Sequence, residues 1–423
     1  MIEEGLSTFS LQERYVLGNY GRFPLALERG EGTEVWSEEG KRYLDFGTGI
    51  AVCSLGHSHP EVTEAIREQA GRLLHCSNLY ATKEQGLLAQ HLVETVMERA
   101  GKVFFCNSGA EANELLIKLA RRFGSARGEG KHEIITFDGS FHGRTMAGIS
   151  ATAQKKISAG FEPLLPGFVH LPFADLVEVK RAVTDQTAAI LLEPVQGEGG
   201  IRPFEGAFLK ELEALAKSAG ALLLFDEVQC GVGRLGENCG WRALAGAEGV
   251  NPDAVSWAKG MGGGIPIGAV WMTDEGEVSS LMGPGSHGTT YGGGPLVARC
   301  ARTVLEIIER DGLAAHAQHQ GKRICQAISQ WKSPWIEEVR GLGLMLGIVL
   351  SDAWIEARKQ RSDGGGTGTP AVQVVKELME RGLLTVPAGE RVVRILPPLN
   401  VKPTEVDEAL SLLRSQFAEM SES

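Results

Sequence analysis

Three short segments of the chain set reactive residue types at the ends of apolar runs. The first, Asn107-Ser108-Gly109-Ala110-Glu111, closes the run KVFFCN (102–107) and opens a helical pattern. Free N–H groups and the positive dipole end at such a junction can hold a phosphate, with Gly109 permitting close approach and the Ser108 hydroxyl donating as well. A plain helix cap by Ser108 accounts for the same residues. The second, Asp226-Glu227, follows ALLLF (221–225), so the Asp226 carboxylate leaves the C-terminal end of a buried strand, where ligands collect in open α/β sheets. Charge there needs a partner, either a structural ion pair or a ligand cation such as a protonated pyridine nitrogen. The third, SWAKGMGGG (256–264), puts Lys259 at a strand exit before a glycine-rich turn. A lysine usually faces solvent, but this much glycine indicates that something approaches the backbone. A desolvated amine loses its proton more readily and can attack a carbonyl to form a Schiff base.

A fourth segment is a decoy. Gly231-Val232-Gly233-Arg234-Leu235-Gly236 matches G-x-G-x-x-G, yet residues 226–230 separate it from the strand, and ENCGWRALAG (237–246) after it has no apolar stripe. The dinucleotide fingerprint turns straight from strand into amphipathic helix, so a nicotinamide oxidoreductase is rejected. No G-x-x-x-x-G-K-[ST] occurs, which leaves a P-loop NTPase without support.

The elements that must position these residues alternate. The strand-like runs are KVFFCN (102–107), EIITF (133–137), AAILLEPV (188–195), ALLLFDEV (221–228), AVSWA (254–258) and IGAVWM (267–272), suited to a parallel sheet buried on both faces. Residues 110–123 and 204–219 carry helical apolar stripes between them, giving α/β layering. The last third supplies GLMLGIVL (343–350), AVQVVKELMERG (371–382), VVRIL (392–396) and TEVDEALSLLRSQF (404–417), the pattern of a smaller α/β unit. An early hairpin over 33–46, turning at Glu39-Gly40, is placed with that unit. The segment 362–369, SDGGGTGT, reads as a flexible surface loop.

With 423 residues, the chain has room for roughly two to three domains and a large core. Its 55 glycines are nearly double the usual ~7 %, but no Gly-X-Y period makes it collagen-like, and 43 % hydrophobic residues in defined runs exclude a disordered chain. A net charge of -11 argues against general attraction to nucleic acid or anionic membrane. Seven widely spaced cysteines without C-x-x-C argue against a disulfide framework and a structural zinc site, so no metal is expected. The acidic start lacks an apolar signal core, and no apolar stretch approaches the ~20 residues of a membrane span. The expectation is a cytoplasmic protein acting on small molecules.

A phosphate cradle, a strand-end aspartate and a nucleophilic lysine together meet the needs of pyridoxal 5'-phosphate: an anchor, a partner for the ring nitrogen, and a Schiff-base amine. The sequence resembles the class III (ω-amino-acid) aminotransferases, most closely the acetylornithine aminotransferases. Similar motifs run through nearly the whole chain: YGRFPLALERGEG (20–32), LDFGTGIAVCSLGHSHP (44–60), NSGAEANELLIKLAR (107–121), FHGRTM (141–146), EPVQGEGG (193–200), FDEVQCGVGR (225–234), AKGMGGGIPIGA (258–269), SHGTTYGGG (286–294) and RILPPLN (394–400).

The resemblance implies a fold-type I α/β transferase. Its large pyridoxal-phosphate domain (61–300) would hold a mostly parallel seven-stranded sheet, with a smaller α/β domain from segments 1–60 and 301–423. It makes Lys259 the Schiff-base lysine and general base and acid, and Asp226 the partner of the ring nitrogen. Gln229 would reach the ring 3-oxygen, with Val228 and Phe141 on opposite ring faces. Ser108, Gly109 and Ala110 would hold the phosphate with Thr290 of the neighbouring subunit, so the implied assembly is a homodimer with shared sites. Arg144 is similar to the arginine that grips the donor α-carboxylate, with Thr289 adding a contact. Arg394 matches the arginine for the α-carboxylate of glutamate or 2-oxoglutarate, and Glu198 the carboxylate that masks it while an ω-amine is bound.

Ile50 stands where ornithine aminotransferases generally carry tyrosine, which favours a masked amine such as N2-acetyl-L-ornithine, and Tyr20 is placed in the same pocket. The implied reaction moves the δ-amino group of that donor to 2-oxoglutarate in arginine biosynthesis, yielding N-acetyl-L-glutamate 5-semialdehyde and L-glutamate. Rival donors are N-succinyldiaminopimelate, succinylornithine, ornithine and 4-aminobutyrate; a glutamate-semialdehyde-type aminomutase is the rival reaction. Gly294, where the family usually has Asn, and the 362–369 segment are departures from the pattern.

Overall fold

The computed structural model describes residues 6–128, 130–360 and 368–418. Its main sheet has seven strands in the order Gly101–Cys106, Gly268–Thr273, Ala254–Trp257, Leu222–Asp226, Thr187–Leu192, Glu133–Phe137 and Phe168–Leu171. All run parallel except Gly268–Thr273, which pairs antiparallel with both neighbours. The central strands are buried throughout, so they read as continuous apolar runs rather than as alternation. All six expected runs form strands. The seventh strand, FVHL, escapes sequence reading because it is a partly exposed edge strand with no continuous apolar run.

Two four-stranded sheets flank this core. One joins the early strands Leu27–Glu31, Glu34–Ser37 and Arg42–Asp45 to Leu383–Leu384, and the hairpin turns at Glu38–Lys41 as expected. The other holds Ile336–Leu342, Met345–Leu350, Val392–Ile395 and Val386–Ala388. The first sheet therefore ties the N-terminal region to the C-terminal third. The glycine run 362–369 lies outside the described residues except for its end, where Thr369 caps the helix Pro370–Glu380. The decoy glycines form a turn with no helix behind them, only the short 3-10 turn Gly240–Ala243.

The sheet gathers the chemistry because its parallel strands all end on one edge. Gly101–Cys106 leads to Ser108, Glu133–Phe137 to Phe141, Thr187–Leu192 to Glu193, Leu222–Asp226 ends on Asp226, and Ala254–Trp257 leads to Lys259. Beside that edge runs an unusual turn. Thr48, Gly49, Ile50 and Ala51 have φ of 47°, 63°, 66° and 61°, a single left-handed helical turn, although only one of the four is glycine. Each non-glycine residue there costs roughly 1–2 kcal/mol, so neighbouring contacts must hold the turn in place.

Candidate active site

Ser108 caps the helix Gly109–Ser125, its hydroxyl accepting the Glu111 N–H at 3.2 Å. Glu111 reaches back to accept the Asn107 N–H at 2.7 Å, a capping box displaced by one residue. The cap and the anion reading coexist, because the first-turn N–H groups of Gly109 and Ala110 have no intrahelical acceptor. Glycine is required at 109, since a Cβ there would stand 2.6 Å from Cγ1 of Val228.

Asp226 is 3 % exposed and held at both oxygens. Oδ1 accepts the Val228 N–H at 3.0 Å, and Oδ2 accepts from Asn113 Nδ2 at 2.7 Å and lies 2.8 Å from His142 Nδ1. Asn113 is itself oriented by the Ser256 hydroxyl, which donates to its Oδ1 at 2.8 Å. Glu193 accepts the N–H of Phe141 at 2.9 Å and of Gly197 at 3.1 Å, and so ties the Phe141 loop to the Glu198 loop. Burial first, then the Asp226 charge, pushes the Glu193 carboxyl up to about 7. Sequence reasoning missed Asn113, His142 and Glu193 as site residues. All three lie within the quoted motifs, and Asn113 sits one helical turn after Ala110, on the face directed at the strand ends.

Lys259 borders the cavity and keeps some exposure, yet desolvation of its amine is the largest influence and lowers its pKa from the ordinary lysine value. Its backbone has φ of 41°, and the next carbonyl, of Gly260, accepts the Ser54 hydroxyl at 2.7 Å. The glycines beyond it are a packing need, because a Cβ at Gly262 would come within 2.1 Å of the Ile265 carbonyl.

These groups share one cavity of about 380 Å³, lined by Ser108, Gly109, Ala110, Phe141, Arg144, Asp226, Val228, Gln229 and Lys259. Nine of the residues expected from the sequence therefore meet in one place. Arg144 holds its guanidinium carbon 5.5 Å from the centre of the Phe141 ring. Arg394, 1 % exposed, donates from Nη1 to Glu198 Oε1 at 2.7 Å and to Gln229 Oε1 at 3.1 Å, and from Nη2 to the Pro387 carbonyl at 3.0 Å. Glu198 and Arg394 thus pair as expected, and Gln229 engages the arginine.

The remaining expected residues lie outside that cavity. Ile50, 38 % exposed, borders a neighbouring cavity of about 570 Å³ together with Arg22, Asp45 and Pro387. Thr289 accepts from Asn107 Nδ2 at 2.8 Å. Thr290 borders a separate crevice with His75, Tyr80 and Gln85. Tyr20 is 69 % exposed. Among the described residues, no group of three or more His, Cys, Asp or Glu side chains could hold a metal ion.

The model of one protein family, "Aminotransferase class-III", matches residues 15–417. The acetylornithine aminotransferase of Thermosynechococcus vestitus is 42 % identical over 433 aligned positions covering 100 % of both chains. That of Rhodobacter capsulatus is 44 % identical, covering 96 % of this chain and 98 % of the relative. Among solved structures, the N-acetylornithine aminotransferase of Stenotrophomonas maltophilia superimposes with a TM-score of 0.80 at 36 % identity, covering 98 % of this chain and 99 % of that one. An ornithine aminotransferase of Toxoplasma gondii, with PLP at partial occupancy in its active site, gives 0.88 at 29 % identity, covering 98 % of this chain and 94 % of that one.

Proposed function

The chain belongs to the class-III aminotransferases, and from that premise we propose that it moves the δ-amino group of N2-acetyl-L-ornithine to 2-oxoglutarate in arginine biosynthesis. The products are N-acetyl-L-glutamate 5-semialdehyde and L-glutamate. The observation that carries the reading is the meeting of Lys259, Asp226 and the Ser108 helix start in one cavity, beside an Arg394–Glu198 pair. Relatives bearing the acetylornithine name, at up to 44 % identity over nearly full length, support the choice of donor.

Pyridoxal 5'-phosphate is the cofactor, and the residues present fit it. The Gly109 surface is free of a Cβ beneath Val228, the first-turn N–H groups can meet a phosphate, and Asp226 is a buried carboxylate fixed by Asn113, His142 and Val228. When bound, the cofactor supplies an electron sink for the substrate carbon next to the transferred amine.

The protein supplies placement and proton transfer. Asp226 would pair with the ring nitrogen and favour its protonated form, while His142 and Asn113 keep the carboxylate from turning. Phe141 and Val228 would flank the cofactor ring, Gln229 would serve its 3-oxygen, and Ser108, Gly109 and Ala110 would hold its phosphate, all of them lining the one cavity. Lys259, its amine desolvated, serves as nucleophile and then carries the proton to and from the reacting carbon.

Arg144 grips the donor α-carboxylate as a bidentate fork, with Thr289 adding a contact, and Tyr20 goes with Ile50. Glu198 neutralises Arg394 during the donor half-reaction and releases it for the dicarboxylic acceptor. A second copy of the chain completes the site through its Thr290. The exposed Leu74, Leu79, Tyr80 and Tyr291 near that residue's crevice support such an interface. No helix among the described residues is long and apolar enough to cross a membrane.

The test is a donor panel with 2-oxoglutarate alongside Lys259→Ala. The expected result is the highest kcat/KM for N2-acetyl-L-ornithine, borohydride fixation of cofactor on Lys259, and loss of turnover in the variant. Preference for 4-aminobutyrate or free ornithine would overturn the donor, activity without any keto acid would favour the aminomutase, and normal turnover by Lys259→Ala would overturn the mechanism.

A further inference from the structure

No step of the reaction uses the glycine segment 231–236, yet its one charged side chain, Arg234, is buried at 2 % exposure. Nη1 of Arg234 donates to the Leu344 carbonyl at 3.1 Å and to the Pro397 carbonyl, and the Arg234 carbonyl accepts the Leu344 N–H at 2.9 Å. Among the described residues no carboxylate pairs with this guanidinium, and its Nη2 has no partner. Burial pushes its pKa down to about 9, which leaves it cationic at neutral pH. A buried cation with only carbonyl partners costs more than an apolar side chain of similar volume, so packing does not account for it.

The two carbonyls belong to the strands around Arg394. Leu344 precedes Met345–Leu350, and Pro397 stands three residues past Arg394, just beyond Val392–Ile395. These strands pair antiparallel with Gly347 opposite Arg394, so one guanidinium nitrogen bridges the pair at one end. The approach is close, because a Cβ at Gly343 would stand 2.4 Å from the Arg234 carbonyl oxygen.

The segment that carries Arg234 is itself anchored at the site. It begins at Asp226, and Gln229 Oε1 accepts from Arg394 Nη1 at 3.1 Å. Glu227, 1 % exposed, accepts the Trp241 N–H at 2.8 Å and the Trp257 Nε1–H at 3.4 Å. A Cβ at Gly231 would come within 2.8 Å of Glu227 Oε2, so glycine lets the chain turn around that carboxylate. Residues 226–234 therefore touch Arg394 directly through Gln229 and hold the end of its strand through Arg234.

We infer that Arg234 is a positioning residue for the acceptor: it clamps the strand end beyond Arg394 and so sets the Arg394 guanidinium against Gln229 and Glu198. The inference rests on the reading of Arg394 as the acceptor's carboxylate partner. The same strand end is also held by the Leu396 N–H on the Phe46 carbonyl and the Leu399 N–H on the Ser54 carbonyl, each at 2.7 Å. Loss of Arg234 should thus loosen the strand end without releasing it.

The experiment is a double-mutant cycle on the holoenzyme between Arg234→Met and Arg394→Ala. For each form, single-turnover measurement gives the second-order rate constant of the half-reaction with 2-oxoglutarate, and melting temperature and bound-cofactor absorbance show that the protein is folded and loaded. A displacement of about 1 Å commonly costs on the order of a hundredfold, so Arg234→Met should lower that constant roughly 10- to 100-fold. In the Arg394→Ala background the same substitution should change it by less than about twofold, since the group it positions is gone. A merely structural role would give the full loss in both backgrounds.

If Arg234→Met does not fold, Arg234→Lys takes its place in the cycle. An unchanged rate constant in the folded, cofactor-loaded Arg234 variant would overturn the inference, as would a loss that multiplies in full with that of Arg394→Ala. An Arg394→Ala variant that alone keeps the parent rate constant would instead overturn the acceptor reading, so the two failures are distinguishable.

Discussion

Removing Glu198 should strengthen acceptor binding and weaken use of the donor. In the structure the Arg394 guanidinium is occupied by Glu198 Oε1 at 2.7 Å, with Gln229 Oε1 at 3.1 Å and the Pro387 carbonyl at 3.0 Å as neutral partners. A dicarboxylate must displace the Glu198 contact before it can form its own. Two unit charges about 4 Å apart attract by about 4 kcal/mol at an effective dielectric near 20, but most of this is offset by desolvation. A charged hydrogen bond is worth about 1.5–3 kcal/mol net. Glu198→Ala, which leaves both neutral partners in place, should therefore lower the Kd for 2-oxoglutarate roughly 10- to 100-fold.

The same variant should raise the donor KM, because an unmasked cation then faces the neutral end of the donor. Single-turnover measurements separate the two halves: each substrate is mixed alone with enzyme in the matching cofactor form, and the cofactor absorbance is followed. Unchanged or weaker binding of 2-oxoglutarate to Glu198→Ala would refute the masking argument, since the arginine would then not have been held in competition.

Two further outcomes follow from the exposed surface near Thr290 and from His57, whose Nε2 lies 2.8 Å from Asp45 Oδ2. Leu79→Asp with Tyr80→Asp, at positions 85 % and 71 % exposed in the single chain, should shift sedimentation from dimer to monomer and remove activity; an active dimer in the double variant would place the subunit contact elsewhere. His57 is raised to about 10, first by its hydrogen bond to Asp45 and then by that to Cys53, against an unfolded value near 6.5. A raised histidine contributes stability that is complete below the unfolded value and is lost as pH climbs through about 10. The melting temperature of the parent should therefore fall more steeply than that of His57→Gln between roughly pH 6.5 and 10, and equal slopes would refute a charged His57.

Much of this site was legible because parallel sheets concentrate signal. A strand buried on both faces must be apolar along its length, and the residue at its C-terminal end is then conspicuous when it is Asp226 or is followed by Lys259. The edge strand Phe168–Leu171 and the half-exposed Ile336–Leu342 carry no such signal, so they were missed. His142 and Asn113 failed to register for a different reason. Each looks like an ordinary helix or loop residue until Asp226, 84 or 113 positions away, is seen between them.

The left-handed turn marks where sequence reading of conformation stops. Glycine-rich segments announce tight backbone, and the turns at Gly262 and Gly109 bear that out with Cβ clearances that no side chain could meet. Thr48, Ile50 and Ala51 adopt the left-handed region, which favours glycine, without being glycine, so composition is silent about them. What permits them is Asp45 directing one oxygen at two backbone donors and the other at His57. Replacing Ile50 by glycine would relieve the strain, and the side chain there is therefore retained at a cost in stability. A residue kept against its own backbone preference, at the rim of a cavity and beside the part-buried Asp45–His57 pair, is held in that conformation by its neighbours rather than by its own propensity.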